Sequence, residues 1–397
     1  MNIKNTLKVT TSALLLSSFS NTYAAVNSPD IDAAVVNLRV SCIESGNEIQ
    51  NCFDDIVSLN NWMNTLRTSN ELLVNIGPGT FTRPSSLPVG VIHCNSKNIS
   101  LRGAGRDHTI ITTNGMKPHI TAGILLDNQC DNFNVQDLKA TGWIQGAIAT
   151  AATATTTWEN VELNGGSYGW LESDACTGQR GKHTWNSSRI VTNGTFSPGS
   201  VNYIANCAES WFFASQIIAT VNGQNQSGDG SFAVLADNAE VHFYGSNIKL
   251  ETTEGADANN ADLVKSINGG EVHIHGTGLD VIHNGSGNVS YFEADATSMI
   301  HANSNAFSLQ QSGTGSVERL TGEGKISAPY HWGQSTTPPM ITSRSGADTY
   351  IETDCPTNND CGIGGSFPHT MIYRVECNGT GENQGPWYDT VTQNCRQ

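Results

Sequence analysis

The stretch "EVHFYGSNI" at residues 240–248 returns as "EVHIHGTGL" at residues 271–279, 31 residues further along the chain. In both stretches β-branched or aromatic residues alternate with polar ones before a small polar turn, which is the pattern of a short strand. A strand pattern that recurs at this interval predicts a solenoid, in which each repeat forms one circuit.

Four earlier stretches follow the same pattern: "CDNFNVQDL", "TTTWENVEL", "KHTWNSSRI" and "ESWFFASQI". Each stretch has one aligned apolar residue, and a Leu or Ile stands five positions later. The aligned residues are Phe133, Trp158, Trp185, Phe212, Phe243 and Ile274, and the later ones are Leu138, Leu163, Ile190, Ile217, Ile248 and Leu279. Because the intervals are unequal but the inner pattern is fixed, the sequence predicts a constant unit joined by loops of variable length.

A further apolar stretch precedes each unit, so every repeat offers about three short strands and no helix long enough for a βαβ crossover. This organisation predicts an all-β fold, a parallel β-helix solenoid. The open end of such a solenoid needs a cover. Apolar residues at helical spacing within residues 53–67 predict a capping helix there: Ile56, Leu59, Trp62, Met63 and Leu66.

Two glycine turns lie between the helix and the repeats, in "GPGTF" ending at residue 81 and in "LRGAG" followed by "TII" within residues 98–113. Together with the paired Asp54–Asp55 before the helix, this order resembles the start of the pectin-lyase-like right-handed parallel β-helix superfamily. The resemblance covers about residues 41–325 and implies a right-handed coil. It matches no particular enzyme family, because the catalytic aspartates and the Gly-His-Gly turn of polygalacturonases are missing. Pectate lyases bind calcium through an acidic column, and the only consistently acidic column here is Glu209, Glu240 and Glu271, which we expect to point into solvent at a strand end.

The first residues predict a secretory signal, since Lys4 and Lys8 precede a short apolar stretch and then the small residues "NTYAA". We expect a signal peptide at 1–24, an N-terminal segment with the capping helix at 25–71, the β-helix at 72–325, and a disulfide-stapled, Cys-rich cap or module at 326–397. No later stretch reaches the length of a membrane span. The expected location is therefore exported: periplasmic, cell-surface or extracellular.

Ten cysteines occur without any CxxC pair, which favours disulfides in an oxidising compartment over a zinc site. Near neighbours in the chain predict five bridges, although the sequence leaves other connectivities open. The expected pairs are Cys42/Cys52, Cys94/Cys130, Cys176/Cys207, Cys355/Cys361 and Cys377/Cys395.

The formal net charge is −16. A nucleic-acid partner is disfavoured because neutralising phosphates needs clustered Lys and Arg. A strongly anionic polysaccharide would also be repelled at long range. The expected partner, a polysaccharide or glycan surface, is inferred from the outward aromatic columns described next, and the oligomeric state stays open.

Alternation along a strand places the neighbours of the inward residues on the outer face. One outward column then contains Thr157, Thr184, Trp211, His242 and His273. The second contains Glu159, Asn186, Phe213, Tyr244 and His275, continued by His301. Aromatic faces stack on sugars and imidazoles bond hydroxyls, so the predicted ligand-binding residues are Trp211, Phe213, His242, Tyr244, His273 and His275. The alternative is that loops or an oligomer contact cover these rows.

The insertion "ESDACTGQRGKH" supplies the candidate catalytic groups: Glu172, Asp174, Arg180, Lys182 and His183. A lyase needs a base and a cation for the enolate, whereas a glycosidase needs two carboxylates, for which Glu209 is also available. The alternative is a solvated loop. Long loops at equivalent places in successive coils are expected to stack as a wall, which would form a cleft beside the aromatic face.

Metal binding is weighed at two places. His242, His273 and His275 could share an ion because neighbouring strands lie about 4.8 Å apart, but no evident carboxylate stands beside them. Asp257 and Asp262 could hold calcium, but their spacing fits no known loop signature. We expect no metal and no other cofactor, with calcium as the alternative.

Two functions remain open. The favoured one is an exported protein that recognises carbohydrate or a cell surface through the aromatic and histidine face, without chemistry. The alternative is a polysaccharide lyase or glycoside hydrolase that acts in a cleft beside that face. A purely structural spacer is the third reading.

Overall fold

The computed structural model describes residues 34–322, except for 45–46, 49–50, 66–70, 84–91, 95–97, 114–121, 127–129, 143–144, 150–153, 173–179, 193–200, 223–230, 254–260, 304 and 316, and short strands from Lys325 to Cys395. The predicted signal peptide and the 173–179 part of the insertion lie outside the described residues. Within them the chain is almost entirely strand, with one helix at Ile56–Thr65.

Three long sheets account for nearly all the strands, and the chain visits them in the order sheet 1, sheet 2, sheet 3. Sheet 1 comprises Ala34–Leu38, Cys52–Phe53, Leu72–Ile76, Asn98–Arg102, Asn132–Gln136, Thr155–Glu159, Lys182–Asn186, Glu209–Phe213, Glu240–Tyr244, Glu271–His275, Met299–Asn303, Lys325–Ser327, Ile351–Glu352, Tyr373–Arg374, Tyr388–Asp389 and Asn394–Cys395. Sheet 2 comprises Gly79–Arg83, Thr109–Thr113, Lys139–Thr141, Glu162–Gly165, Arg189–Thr192, Gln216–Val221, Asn247–Thr252, Gly278–His283, Asn305–Gln311 and Tyr330–Trp332. Sheet 3 comprises Ile92–Cys94, Ala122–Leu126, Gln145–Ala149, Tyr168–Glu172, Val201–Asn206, Ser231–Asp237, Ala261–Ile267, Val289–Ala294, Val317–Gly322 and Met340–Ile341. A small hairpin, Ile43–Glu44 with Asn47–Glu48, stands apart.

From Leu72–Ile76 to Tyr373–Arg374, each strand of these sheets pairs in parallel with the next strand of its sheet, so the predicted parallel β-solenoid is confirmed. In sheet 1, Trp158 pairs with Trp185, then Phe212, Phe243 and Ile274. The alignment of Phe133 is wrong, because Val135 is the residue that pairs with Trp158. Since apolar residues alternate in "NFNV", a slip of two positions keeps the same face inward, and the pattern could not separate the two registers.

The core is a column of aromatic side chains that follows this register. The rings of Trp158 and Trp185 stack at 4.8 Å, those of Trp185 and Phe212 at 5.6 Å, and those of Phe212 and Phe243 at 4.6 Å. All four side chains are fully buried. Stacking along the solenoid therefore carries the hydrophobic stabilisation from one circuit to the next.

The corner between sheets 1 and 2 is a tight turn that repeats in successive circuits from Asp137 to Gly276. Its first residue has a left-handed backbone, as at Ser187, Ala214 and Gly245, with φ of 49°, 47° and 56°. In four of these corners the next residue is a buried Ser or Thr, namely Ser188, Ser215, Ser246 and Thr277. Its hydroxyl bonds the neighbouring circuit, as where Ser215 Oγ accepts from the Ser188 amide at 3.1 Å. Short corners of this kind keep the outer face of sheet 1 free of long loops on that side.

The helix packs on the first circuit, as predicted. Asp55 precedes it, and its carboxylate accepts a hydrogen bond from the Ser58 amide at 2.8 Å, which is an N-cap. Ile56, Leu59 and Met63 are buried in the core. The disulfides Cys42–Cys52 and Cys94–Cys130 are present as expected. Cys207 is also disulfide-bonded, whereas the other predicted partners lie outside the described side chains.

Parallel pairing continues beyond residue 326, where the sequence repeat fades. Lys325–Ser327 pairs with Ile351–Glu352, and that strand pairs with Tyr373–Arg374. The last two strands then pair antiparallel. The role of residues 326–397 as a cap or separate module stays a prediction.

Candidate functional site

Sheet 1 carries the outward columns expected from the repeat. The first ring column runs Trp211, His242, His273 and His301, since each residue pairs with the next across adjacent strands. The second ring column runs Phe213, Tyr244 and His275 and continues to Asn303, not to His301. The expected place of His301 is therefore wrong. His301 lies two residues before Asn303 on the same strand. It therefore occupies the same outward face but belongs to the first ring column.

The rings of both columns are nearly parallel. In the first, Trp211 and His242 stack at 3.9 Å with 10° between planes, His242 and His273 at 4.6 Å with 5°, and His273 and His301 at 5.2 Å with 16°. In the second, Phe213 and Tyr244 stack at 5.5 Å. Each inner ring of a column thus has both faces against its neighbours, which leaves only its edge toward solvent.

Among the described residues, a ring face without a stacked ring occurs where a column ends. Trp211 pairs with Thr184 on the side opposite His242, and Phe213 pairs with Asn186 on the side opposite Tyr244. The step from large rings to smaller side chains creates a ledge, formed by Trp211 and Phe213 above Thr184 and Asn186. Phe213 is 39% exposed, whereas His242 inside the column is 7% exposed.

A carboxylate column borders the first ring column. It consists of Glu209, Glu240 and Glu271, which pair with one another in register. Each accepts a hydrogen bond from the ring two residues later on its own strand: Trp211 Nε1 at 2.8 Å, His242 Nε2 at 2.8 Å and His273 Nε2 at 2.9 Å. These side chains are therefore bound to the rings rather than freely solvated.

Basic side chains from the insertion reach the same column. Lys182 Nζ lies 3.1 Å from Glu209 Oε2, and Arg180 Nη1 lies 3.9 Å from Glu240 Oε2. Burial alone would raise the pKa of Glu209, but the hydrogen bonds from Lys182 and Trp211 lower it below its ordinary value of 4.5. The carboxylate is thus held in its charged form beside the ledge.

Two histidines of the columns titrate below their ordinary range. Burial lowers the pKa of His275, and the imidazoles of His273 and His301 lower it further. Burial and His273 likewise lower the pKa of His301. Both rings are consequently neutral near pH 7 and can accept as well as donate hydrogen bonds.

The candidate catalytic residues do not form one exposed group. Arg180 and Lys182 are exposed, and Asp174 lies outside the described residues. The alternative of a solvated loop does not hold for Glu172 and His183, whose side chains are almost completely buried. His183 lies on the inward register of its strand, between the outward Lys182 and Thr184. Any catalytic role for the set stays a prediction.

Glu172 and His183 instead form a polar network inside the solenoid. His183 Nε2 lies 2.6 Å from Glu172 Oε1, and its Nδ1 lies 2.8 Å from Thr156 Oγ1. Glu172 Oε2 also accepts from the Asn206 amide at 2.6 Å. The groups satisfy one another, which is the requirement for burying charge. The alternation in "KHTWN" already indicated that His183 points inward, because it lies two positions from the inward Trp185 and so on the same side of the strand.

The long loops leave from equivalent positions in successive circuits, as predicted. They connect sheet 2 to sheet 3, as between Val221 and Ser231, or between Thr252 and Ala261. The loops' own residues, such as 223–230 and 254–260, lie outside the described residues, so the wall and the cleft stay predictions. The insertion after Glu172 does join sheet 3 to sheet 1 and so borders the outward face.

Two groups in the described residues place three metal-ligand atoms within 4.8 Å of one another: Glu240, His242 and His273, and Glu271, His273 and His301. The objection that no carboxylate stands beside the histidines does not hold, since Glu271 contacts His273 directly. His275 belongs to neither group. Of the two aspartates considered for calcium, Asp257 lies outside the described residues and Asp262 is buried.

A scan against protein families, a search of curated proteins and a search of solved structures found no significant match. The parallel β-solenoid stands on the structure itself, and membership of the pectin-lyase-like superfamily stays a prediction. In the described part of the chain no helix has the length and apolar character needed to cross a bilayer.

Proposed function

We propose that the protein recognises a neutral carbohydrate, on a polysaccharide or a cell surface, through the outward face of sheet 1. The observation that carries the proposal is the ledge, where the end faces of Trp211 and Phe213 stand above Thr184 and Asn186. Sugars bind proteins by laying their apolar C–H faces on aromatic rings, and a flat face beside a lower floor suits that contact.

Polar groups beside the ledge supply the hydrogen bonds that a sugar needs. Lys182 and Glu209 form an ion pair on the same strands and can donate to and accept from hydroxyls. Thr184 and Asn186 add neutral groups on the floor. The arrangement combines an apolar surface with a few fixed polar groups, which is typical of ligand sites.

Charge favours a neutral glycan over a polyanion. The chain carries a formal net charge of −16, and the carboxylate column adds local negative potential. A strongly anionic polysaccharide would be repelled, although salt reduces that effect.

The proposed location is outside the cytoplasm. The disulfides Cys42–Cys52 and Cys94–Cys130 persist in oxidising compartments such as the periplasm or the extracellular space. Together with the signal expected at 1–24, they support export, which places the ledge where glycans occur.

The test is glycan-array binding followed by titration of the best neutral ligand. Trp211→Ala should weaken binding about tenfold, which corresponds to about 1.4 kcal/mol. Tyr244→Ala should weaken it less, because both faces of Tyr244 are covered by Phe213 and His275. Ile43→Ala, which removes an exposed apolar side chain outside sheet 1, is the control.

The same samples are assayed for new reducing ends and for unsaturated uronates. Turnover would overturn the proposal in favour of a polysaccharide lyase or hydrolase. Absence of binding by the unmodified chain, or equal binding by Trp211→Ala, would also overturn it and leave a spacer role.

A further inference from the structure

Three ligand atoms meet at the end of the first ring column, on two adjacent strands. Glu271 Oε1 lies 2.9 Å from His273 Nε2, and the rings of His273 and His301 stack at 5.2 Å. A carboxylate oxygen and one nitrogen from each imidazole all lie within 4.8 Å of one another. All three side chains are partly exposed, so an ion can reach them from solvent.

We propose that Glu271, His273 and His301 bind a divalent transition-metal ion of the zinc class. Two imidazoles and a carboxylate are one of the three-ligand sets that hold zinc in sites with an open fourth position. The parallel register supplies this set by repetition, since outward histidines on adjacent strands occupy the same column. This inference does not depend on the proposed carbohydrate function.

The geometry requires only side-chain movement. Zinc bonds of 2.0–2.1 Å place tetrahedral ligand atoms about 3.3 Å apart. Glu271 Oε1 and His273 Nε2 are already closer than that, because a hydrogen bond joins them. The ion would take the place of the proton in that bond. Rotation of His301 toward them closes the rest of the gap, while the strand pairing stays intact.

The neighbouring group Glu240, His242 and His273 is less suited, although it shares His273. Glu240 also lies 3.9 Å from the Arg180 guanidinium, which competes with a cation. His242 is 7% exposed, and the Trp211 ring covers one of its faces at 3.9 Å. Among the described side chains, the only ion-pair partner of Glu271 is His273.

The experiment is isothermal titration of Zn²⁺ into the full chain, prepared without a polyhistidine tag and stripped with a chelator. We expect about one ion per chain. His301→Gln should weaken binding at least about tenfold, because even the loss of an outer-shell partner costs that much. The matched comparison is His242→Gln, which removes a ring that stacks on His273 but supplies no proposed ligand, and it should weaken binding less than His301→Gln does.

Glu271→Gln is the second variant, and circular dichroism of each metal-free protein confirms folding. If His301→Gln does not fold, Glu271→Gln decides, because it keeps the shape and removes the charge. Unchanged affinity in both variants, or no Zn²⁺ binding by the unmodified chain, overturns the proposal. Loss in His242→Gln with retention in His301→Gln also overturns it, since the ion would then occupy the neighbouring group.

Discussion

The two faces of sheet 1 carry ladders of flat rings that are built on the same strands. On the inward face, Phe212 and Phe243 stack at 4.6 Å with 16° between planes. On the outward face, His242 and His273 stack at 4.6 Å with 5°. The spacing is the same because the parallel register sets it for both faces. Stacked rings in this fold are therefore not in themselves a sign of a hydrophobic core.

The ladders differ in what surrounds the ring edges. The inner rings lie among apolar side chains such as Val241 and Ile248, all fully buried. The outer rings present nitrogen atoms to a column of carboxylates, as His273 does to Glu271. The inner ladder thus stabilises the coil, while the outer one holds polar groups that a ligand can use.

The largest expected effect is the difference in stability between two variants, one at Phe212 on the inward face and one at its neighbour Phe213 on the outward face. Phe212→Ala should lower the free energy of unfolding by about 4 kcal/mol, because it leaves a cavity in the fully buried stack. Phe213→Ala should cost less than about 1 kcal/mol, because that ring is 39% exposed and stacks on the outward Tyr244. Denaturant unfolding of both variants measures the difference.

Equal losses would show that the outer ladder carries as much of the packing as the inner one. That result would also remove the distinction on which the binding ledge depends.

Much of the fold could be predicted from the sequence, because each circuit of a solenoid needs an apolar side chain at the same inward position. Trp158, Trp185, Phe212 and Phe243 satisfy the same inward position in successive circuits, so four weak strand patterns reinforce one another. The register of Phe133 was not readable, because "NFNV" offers two inward positions of equal apolar character.

The site was less predictable, since its features depend on contacts between circuits. Alternation alone placed the outward rings, but it could not show that their neighbours cover the ring faces. The pairing of Glu271 with His273 depends on side-chain direction rather than on spacing. His183 was assigned to the insertion, although its position two residues before the inward Trp185 already indicated an inward side chain.

A second test compares a fully buried aspartate with a half-buried one. Burial raises the pKa of Asp262 to about 8, and Glu293 adds to the effect. Because the folded value lies above the ordinary value of 3.8, the contribution of Asp262 to stability is fully present below pH 3.8 and is lost as pH rises through about 8. Asp262→Asn should therefore raise the free energy of unfolding above pH 8, where the folded unmodified chain holds a buried charged carboxylate.

The pKa of Asp295 is shifted in the opposite direction. Burial would raise its pKa, but hydrogen bonds from Ser298, the Asn268 amide and Thr297 lower it below 3.8. Its stabilising contribution is present above pH 3.8 and is lost as pH falls through the folded value. Urea unfolding from about pH 3 to about pH 9 should show Asp295→Asn destabilised mainly at neutral pH. The same pH trend in both variants would contradict the assignment.

The smallest effect concerns the corner that joins the two ladders to sheet 2. Ala214 and Gly245 occupy the same left-handed position in successive circuits, with φ of 47° and 56°. A Cβ at Gly245 would meet no atom within 4 Å, so Gly245→Ala tests backbone strain without a clash. We expect Gly245→Ala to destabilise by about 1 kcal/mol and Ala214→Gly to stabilise by a similar amount. Thermal unfolding of both variants measures the two signs. If both variants lost stability, side-chain contacts rather than backbone conformation would control the corner.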